Sequence, residues 1–198
     1  MKIVRDEIIV DLGNFGQTSE YANIHEQILE AIRRIIWPTG SDKFTINSGK
    51  HINGVVPIKD ACMTYLESQG WRRETPLNVK ATVKRPGNID ATIQVLNSYY
   101  AVEWETGNIS SSHRAINKIT LGLLNGALLG GTLIVATRKM YPYLTDRIGS
   151  FEELEPYFSV WKAIPFTSGI IGVIAVEHDE LDETVPPITK RTDGRALR

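Results

Sequence analysis

Cysteine is almost missing from the chain: Cys62 stands alone among 198 residues. No internal disulfide and no cysteine zinc cluster can form, which fits a reducing compartment. Ile58, Cys62, Tyr65 and Leu66 share a helical spacing, so the thiol reads as core rather than as a nucleophile. An excess of either charge is missing too, since 22 basic residues meet 23 acidic ones. Nucleic-acid binders are usually more basic, but a carboxylate metal site adds local negative charge, so the balance excludes little. Long apolar runs are also absent. The first residues, Met1 to Glu7, hold no signal core. The stretch Leu121 to Ala136 is broken by Asn125 and glycines, and falls short of the roughly 18–20 residues that span a bilayer. Repeats, low-complexity tracts and linkers are lacking. What is there is an ordinary globular composition, 42% hydrophobic and 23% charged. It predicts one cytoplasmic domain, residues 1–198, with residues 179–198 as an irregular, mobile tail.

Helical spacing of Ile24, Ile28, Leu29, Ile32, Ile35 and Ile36 predicts a helix over 19–36, capped by Ser19 and stopped at Trp37-Pro38-Thr39-Gly40. A second helix is expected over 57–69, with Pro57 in its first turn. Strands are expected at 77–83 and 88–96, flanking an Arg85-Pro86-Gly87-Asn88 turn, and at 99–105. A long helix follows over about 111–129, then a turn at Gly130-Gly131 and a buried strand over 133–137. Residues 138–146 and 151–162 read as helical, and 170–176 as another buried strand. Strands in the middle with helices around them predict an α/β fold, a central mixed sheet sandwiched by helices.

The chemistry concentrates between Asp90 and Arg114. In a strand, Glu103 and Glu105 point to one face, about 6.5–7 Å apart, while Trp104 points into a core. A neighbouring strand bearing Asp90 could add a third carboxylate. Such a set suits Mg²⁺, Mn²⁺ or Ca²⁺ and could serve phosphodiester hydrolysis. A solvent-facing Glu-x-Glu explains the same spacing. Directly after Glu105, Thr106-Gly107-Asn108 leads to a helix start, where backbone N–H groups and the positive dipole end favour an anion. Ser110, Ser111 and Ser112 are natural caps. Asn108 can pair with adenine or cap a helix; Arg114 can pair with guanine or lie on a solvated face. Asp146-Arg147 can read cytosine and guanine, or form a local ion pair at a helix end. A glycosidase would also use paired carboxylates, but it leaves Asn108, Arg114, Asp146 and Arg147 unexplained.

The blocks Glu103-Trp104-Glu105-Thr106-Gly107-Asn108-Ile109-Ser110-Ser111, His113-Arg114 and Asn117-Lys118 resemble the BamHI family of type II restriction endonucleases. So do Trp37-Pro38, Phe44-Thr45-Ile46-Asn47, Asn53-Gly54-Val55-Val56-Pro57-Ile58-Lys59, Tyr143-Leu144-Thr145-Asp146-Arg147 and Phe151 to Phe158. They occur in order from Ile36 to Gly194. The resemblance implies a variant PD-(D/E)xK nuclease core and a short family member acting as a homodimer on double-stranded DNA. The implied site is the palindrome GGATCC, cut after the first G to leave 5′ overhangs. It implies Mg²⁺ as cofactor, with Mn²⁺ substituting and Ca²⁺ binding without cleavage. By position, Asp90, Glu103 and Glu74 would be metal ligands. Glu105, where a lysine is usual, would activate water or couple to the metal, and Lys59 would orient charge or touch phosphate. Asn108, Ser110, Arg114, Asp146 and Arg147 would read the major groove. A half-site of two G·C pairs and one A·T pair calls for that inventory.

The chain departs from the family in three places. It is about four residues shorter between Asp90 and Glu103, which places the deletion near Leu96-Asn97-Ser98. Family positions carrying charge at the subunit interface appear as Leu124, Asn125, Ser159 and Lys162, so the dimer contact is expected to be more apolar. Asp193 and Gly194 match a segment that reaches the minor groove, but only four residues follow them. A companion DNA methyltransferase is expected genetically, not as a stable complex. The alternatives are a DNA-binding protein of the same fold without cleavage, and an unrelated metal hydrolase.

Overall fold

The computed structural model describes residues 1–77, 87–145 and 148–190. Within these it forms strands β1 (Lys2–Leu12), β2 (Thr45–Ile46), β3 (Arg72–Pro76), β4 (Asn88–Val95), β5 (Ser98–Trp104), β6 (Leu128–Ala136), β7 (Gly169–Glu177) and β8 (Glu180–Leu181). The helices are α1 (Ser19–Arg33), α2 (Val56–Ser68), α3 (Ile109–Leu124), α4 (Phe151–Leu154) and α5 (Phe158–Lys162). Six strands make one sheet in the order β1-β7-β6-β5-β4-β3. The central strands β5, β6 and β7 run parallel; β1, β4 and β3 add antiparallel pairs. This is the mixed sheet expected, with helices on both faces.

Strands buried on both faces read as continuous apolar runs, and β6 and β7 do. Ile134, Ala136, Ile170 and Ile174 pack with α1 and α2 through Ile28, Ile32, Cys62 and Leu66. Leu133, Val135, Ile171 and Val173 pack on the other side with α3, α4 and α5 through Ile116, Ile119, Phe151 and Trp161. Cys62 is buried in the first core, as its spacing predicts. No helix among the described residues is long and apolar enough to cross a membrane.

Several local expectations change. Thr18, not Ser19, caps α1 by accepting from the Tyr21 N–H at 3.2 Å. The turn expected at Gly130-Gly131 lies instead at Asn125-Gly126, where Gly126 takes φ +69°. Gly130 and Gly131 are inside β6, and they make room for packing. A Cβ on Gly130 would sit 2.6 Å from the Tyr100 ring and 2.9 Å from the Ile170 carbonyl, and one on Gly131 would meet Ile119 at 2.8 Å. Of the helix expected at 138–146, the described residues 138–145 form only a 3-10 turn at Tyr141–Tyr143 around Pro142, and Pro156 divides 151–162 into α4, a 3-10 turn and α5. A proline lacks the N–H that an unbroken helix needs. The hairpin partner of β4 is β3, with Pro76 paired to Asn88; of the strand expected at 77–83, residues 78–83 lie outside the described residues, as do Arg85 and Pro86 of its turn.

Residues 179–190, expected to be irregular and mobile, are docked. Strand β8 pairs in parallel with β2. The Asn47 amide donates to the Val185 carbonyl at 2.7 Å, the Trp37 indole donates to the Pro186 carbonyl at 2.8 Å, and Ile188 is buried. Residues 191–198 lie outside the described residues.

The close approach at Gly130 yields a stability test. Gly130→Ala should destabilise the fold by about 1–3 kcal/mol, the usual cost of overpacking. A lower denaturant midpoint at unchanged slope is the expected reading; an unchanged midpoint would show that Tyr100 yields freely.

Candidate active site and nucleic-acid interface

The β4–β5 hairpin sets Ala91 opposite Val102. Asp90, one residue earlier, folds over the end of β5 and accepts from the Trp104 N–H at 2.8 Å. Its other oxygen accepts from Lys59 Nζ of α2 at 2.5 Å. Glu103 is paired with Leu133 of β6 and turned toward α3, where only 4% of it is exposed. There it forms an ion pair with Lys118 of α3. Lys118 also donates to the Asn88 carbonyl at 2.7 Å, tying α3 to β4 two residues from Asp90. Glu105 lies just beyond β5, bonded to β6 through its N–H and the Ile134 carbonyl at 3.0 Å. Its carboxylate turns onto the Gly107 N–H at 2.5 Å.

Burial, reinforced by the charge of Asp90, raises the Glu103 carboxyl to about 7, although Lys118 pulls it back. Burial also raises Glu105 above its ordinary value, against the Gly107 N–H and the charge of Arg114, which favour the ionised form. Asp90, Glu103, Glu105 and Lys59 are therefore neighbours in one electrostatic unit. Glu74 is carried by β3. The pairs Arg73–Ala91 and Thr75–Ile89 set it across from Asp90, exposed, with φ +48°. A positive φ is uncommon for a glutamate and marks an interruption of the ladder.

Among the described residues no three His, Cys, Asp or Glu side chains are gathered closely enough to hold a metal ion. The donors are hard carboxylate oxygens, so their chemistry fits a hard divalent cation. As arranged, Lys59 and Lys118 supply the compensating charge at Asp90 and Glu103.

The base-reading candidates meet this cluster at the start of α3. Asn108 is its N-cap, its side-chain oxygen accepting from the Ser111 N–H at 3.2 Å. The cap falls on Asn108 rather than on the serines, and among the described residues the Asn108 amide nitrogen has no hydrogen-bond partner. Ser110 and Arg114 are exposed one turn apart on the same face. Asp146, Arg147, Asp193 and Gly194 lie outside the described residues. Lys118 is the participant that sequence reasoning missed. Its signal is a lysine on the buried side of α3, between Ala115, Ile116, Ile119 and Leu123, where an unpaired charge is rarely tolerated.

The family model described as Restriction endonuclease BamHI matches residues 1–195. The chain is 46% identical to the type II restriction enzyme OkrAI of Oceanobacter kriegii over 198 residues, the whole of both chains. It is 39% identical to the type II restriction enzyme BamHI of Bacillus amyloliquefaciens over 181 residues, 88% of this chain and 83% of that one. Among solved structures it resembles restriction endonuclease BglII complexed with a DNA 16-mer. The TM-score is 0.67 at 15% identity, over 97% of this chain and 91% of that one.

The Glu103 environment predicts a pH signature. In the unfolded chain the group ionises near 4.5, but in the fold only near 7. Its neutral form therefore contributes stability that is present below the unfolded value and is lost as pH rises through about 7. Glu103→Gln, neutral at every pH, should gain thermal stability over the parent as metal-free buffer goes from about pH 4.5 to 8, by up to roughly 3 kcal/mol. A difference that does not vary with pH would contradict this environment.

Proposed function

The chain belongs to the restriction endonuclease BamHI family, and on that premise we propose that it hydrolyses double-stranded DNA at GGATCC. The cut falls after the first G and leaves 5′ overhangs. Members of the family are type II restriction enzymes, DNA endonucleases, and this chain is an enzyme of that class. One observation carries the reading: the carboxylate unit of Asp90, Glu103 and Glu105 abuts the start of α3, where Asn108, Ser110 and Arg114 are exposed.

Asp90, Glu103 and Glu74 would hold Mg²⁺, which supplies Lewis-acid stabilisation of charge on the scissile phosphate. Mn²⁺ would substitute, and Ca²⁺ would bind without supporting cleavage. Glu105 takes the lysine position of the common nuclease motif and accepts the proton of the attacking water. Its upward shift moves it toward the range where a carboxylate is an effective base. Lys59 orients Asp90 and offers a cation to phosphate. The N–H groups at the start of α3 favour a phosphate oxygen. Asn108 reads adenine, Arg114 and Arg147 read guanine, and Asp146 accepts from cytosine. Ser110 approaches the inner bases, and Asp193 and Gly194 follow the minor groove.

A palindrome is matched by a twofold homodimer. Ser110, Arg114, Asn117, Leu121 and Leu124 form one stripe along α3 at spacings of four, three, four and three. Arg114 is exposed at the polar end, and Leu121 and Leu124 are 41% and 53% exposed at the other. Val160 of α5, 58% exposed, adds a further apolar side chain. We assign the polar end to DNA and the apolar end to the second copy. The protein would act in the cytoplasm, beside a DNA methyltransferase that shields the same site without stable contact.

Incubating the protein with plasmid and Mg²⁺, then sequencing the ends, should give breaks between the two guanines of GGATCC. Specific binding without cleavage in Mg²⁺ or Mn²⁺ would favour the second reading, a DNA-binding protein of the same fold. Asp90→Asn and Glu103→Ala should lower cleavage by about a hundredfold or more while DNA binding survives, given the several kcal/mol that metal chemistry supplies. Normal cutting by both would refute these roles. Leu124→Asp should shift sedimentation from dimer to monomer and remove double-strand cleavage. A variant that stays dimeric would move the interface elsewhere.

A further inference from the structure

Asn53, on the loop before α2, is wholly buried, and none of the chemistry above uses it. Its amide donates to the Asn47 carbonyl at 2.8 Å and to the Tyr143 carbonyl at 2.9 Å. Its side-chain oxygen accepts from the Ile188 N–H at 3.3 Å. Its backbone N–H donates to the Tyr143 carbonyl at 3.1 Å, and its own carbonyl accepts from the Thr145 N–H at 2.9 Å. Gly54 then donates to the Ile188 carbonyl at 2.8 Å. A Cβ on Gly54 would strike the Thr189 carbonyl and come within 2.9 Å of the Lys190 Cα.

This one residue fastens segments that lie 90 and 135 positions away in the chain. These segments have few ladder partners, so their buried backbone groups need side-chain partners. Both donors of an asparagine amide are used here, which fixes the side chain in one orientation. Residues 143–145 lead directly into Asp146 and Arg147. Residues 188–190 lead directly into the stretch containing Asp193 and Gly194. The other flank of the 146–147 pair is tied by the Gly149 N–H to the Gly107 carbonyl at 2.8 Å, in the turn that carries Asn108. A side chain at Gly149 would press on Ser112 Oγ at 2.8 Å and on the Ile109 Cα at 2.9 Å.

We propose that Asn53 is a specificity-determining positioning residue, which sets the 143–145 and 188–190 segments in register so that the reading residues after each engage one DNA site together. The proposal rests on the DNA-reading roles given under the proposed function. Phosphate contacts supply affinity without sequence information, whereas base contacts need exact placement. Loosening Asn53 should therefore cost discrimination before it costs affinity.

The test uses the full-length protein in metal-free buffer. A labelled duplex with GGATCC is competed against the same duplex with one base pair changed in each half-site. The parent should prefer the intact site. In Asn53→Ala that preference should fall by about tenfold, roughly the worth of one base-pair contact. Binding to DNA lacking the site, and its salt dependence, should stay as in the parent. Tyr100→Phe, which removes the buried hydrogen bond to Thr132 in the core, should lower thermal stability and leave the preference intact. If Asn53→Ala does not fold, Asn53→Ser carries the same comparison. A folded Asn53 variant with undiminished preference overturns the proposal alone. An equal loss in Tyr100→Phe overturns it too, because the preference would then follow stability. A parent that binds both duplexes alike removes the DNA-reading roles, and the Asn53 role with them.

Discussion

A carboxylate buried beneath a helix governs this structure. Removing Glu103 from water is costly unless a cation goes with it, and breaking such a pair leaves an uncompensated charge in the interior. Lys118 is that cation, and it is itself satisfied by the Asn88 carbonyl. The three groups come from β5, α3 and β4, so the pair fixes where α3 crosses the sheet. With α3 held there, its first turn opens beside Glu105. Asn108 and Arg114 stand beside Glu105 because α3 begins a short turn after β5 ends.

The sheet determines why these groups collect at one edge. Strands β5, β6 and β7 are parallel, so their carboxyl ends share a side of the molecule. Ligands of open α/β sheets bind at that side. Glu105 follows β5 there, and the loop through Tyr143 and Thr145 follows β6. The site also joins the two cores. Lys59 reaches Asp90 from α2, on one face of the sheet, and Lys118 reaches Glu103 from α3, on the other.

What could be read in advance followed from periodicity. The apolar strands β6 and β7 and helices α1, α2 and α3 announce themselves by runs or by spacing. Trp104 in one core with Glu103 turned to the other face is a consequence of the strand alone; Glu105 lies beyond its end. Strand β1 escaped because its ladder to β7 shifts register between Ile3 and Arg5 and again between Ile8 and Val10, which destroys the two-residue alternation. Gly130-Gly131 was misread because glycine serves close packing as well as turns, and nothing local distinguishes the two. Lys118 escaped because its partner lies on another element, and a lysine in a helix usually faces water. The docking of residues 179–190 depends on Asn47, Asn53 and Trp37, far away in sequence, so their own polar composition gave no sign of it.

A site built for a divalent cation has to be anionic, yet an anionic cluster repels itself in a folded chain. Lys59 and Lys118 resolve that conflict with internal charges that are part of the fold. The same arrangement places the charge of Arg114 close to Glu105. Arg114 holds Glu105 toward its charged form while lying one helical turn from Ser110. Under the proposed roles, a guanine that took the hydrogen bonds of Arg114 would leave its charge in place and fix its distance from Glu105. On that proposal, coupling between reading and cutting needs no long relay through the protein. It follows from one helix end, one strand end and the buried pair that fixes the angle between them.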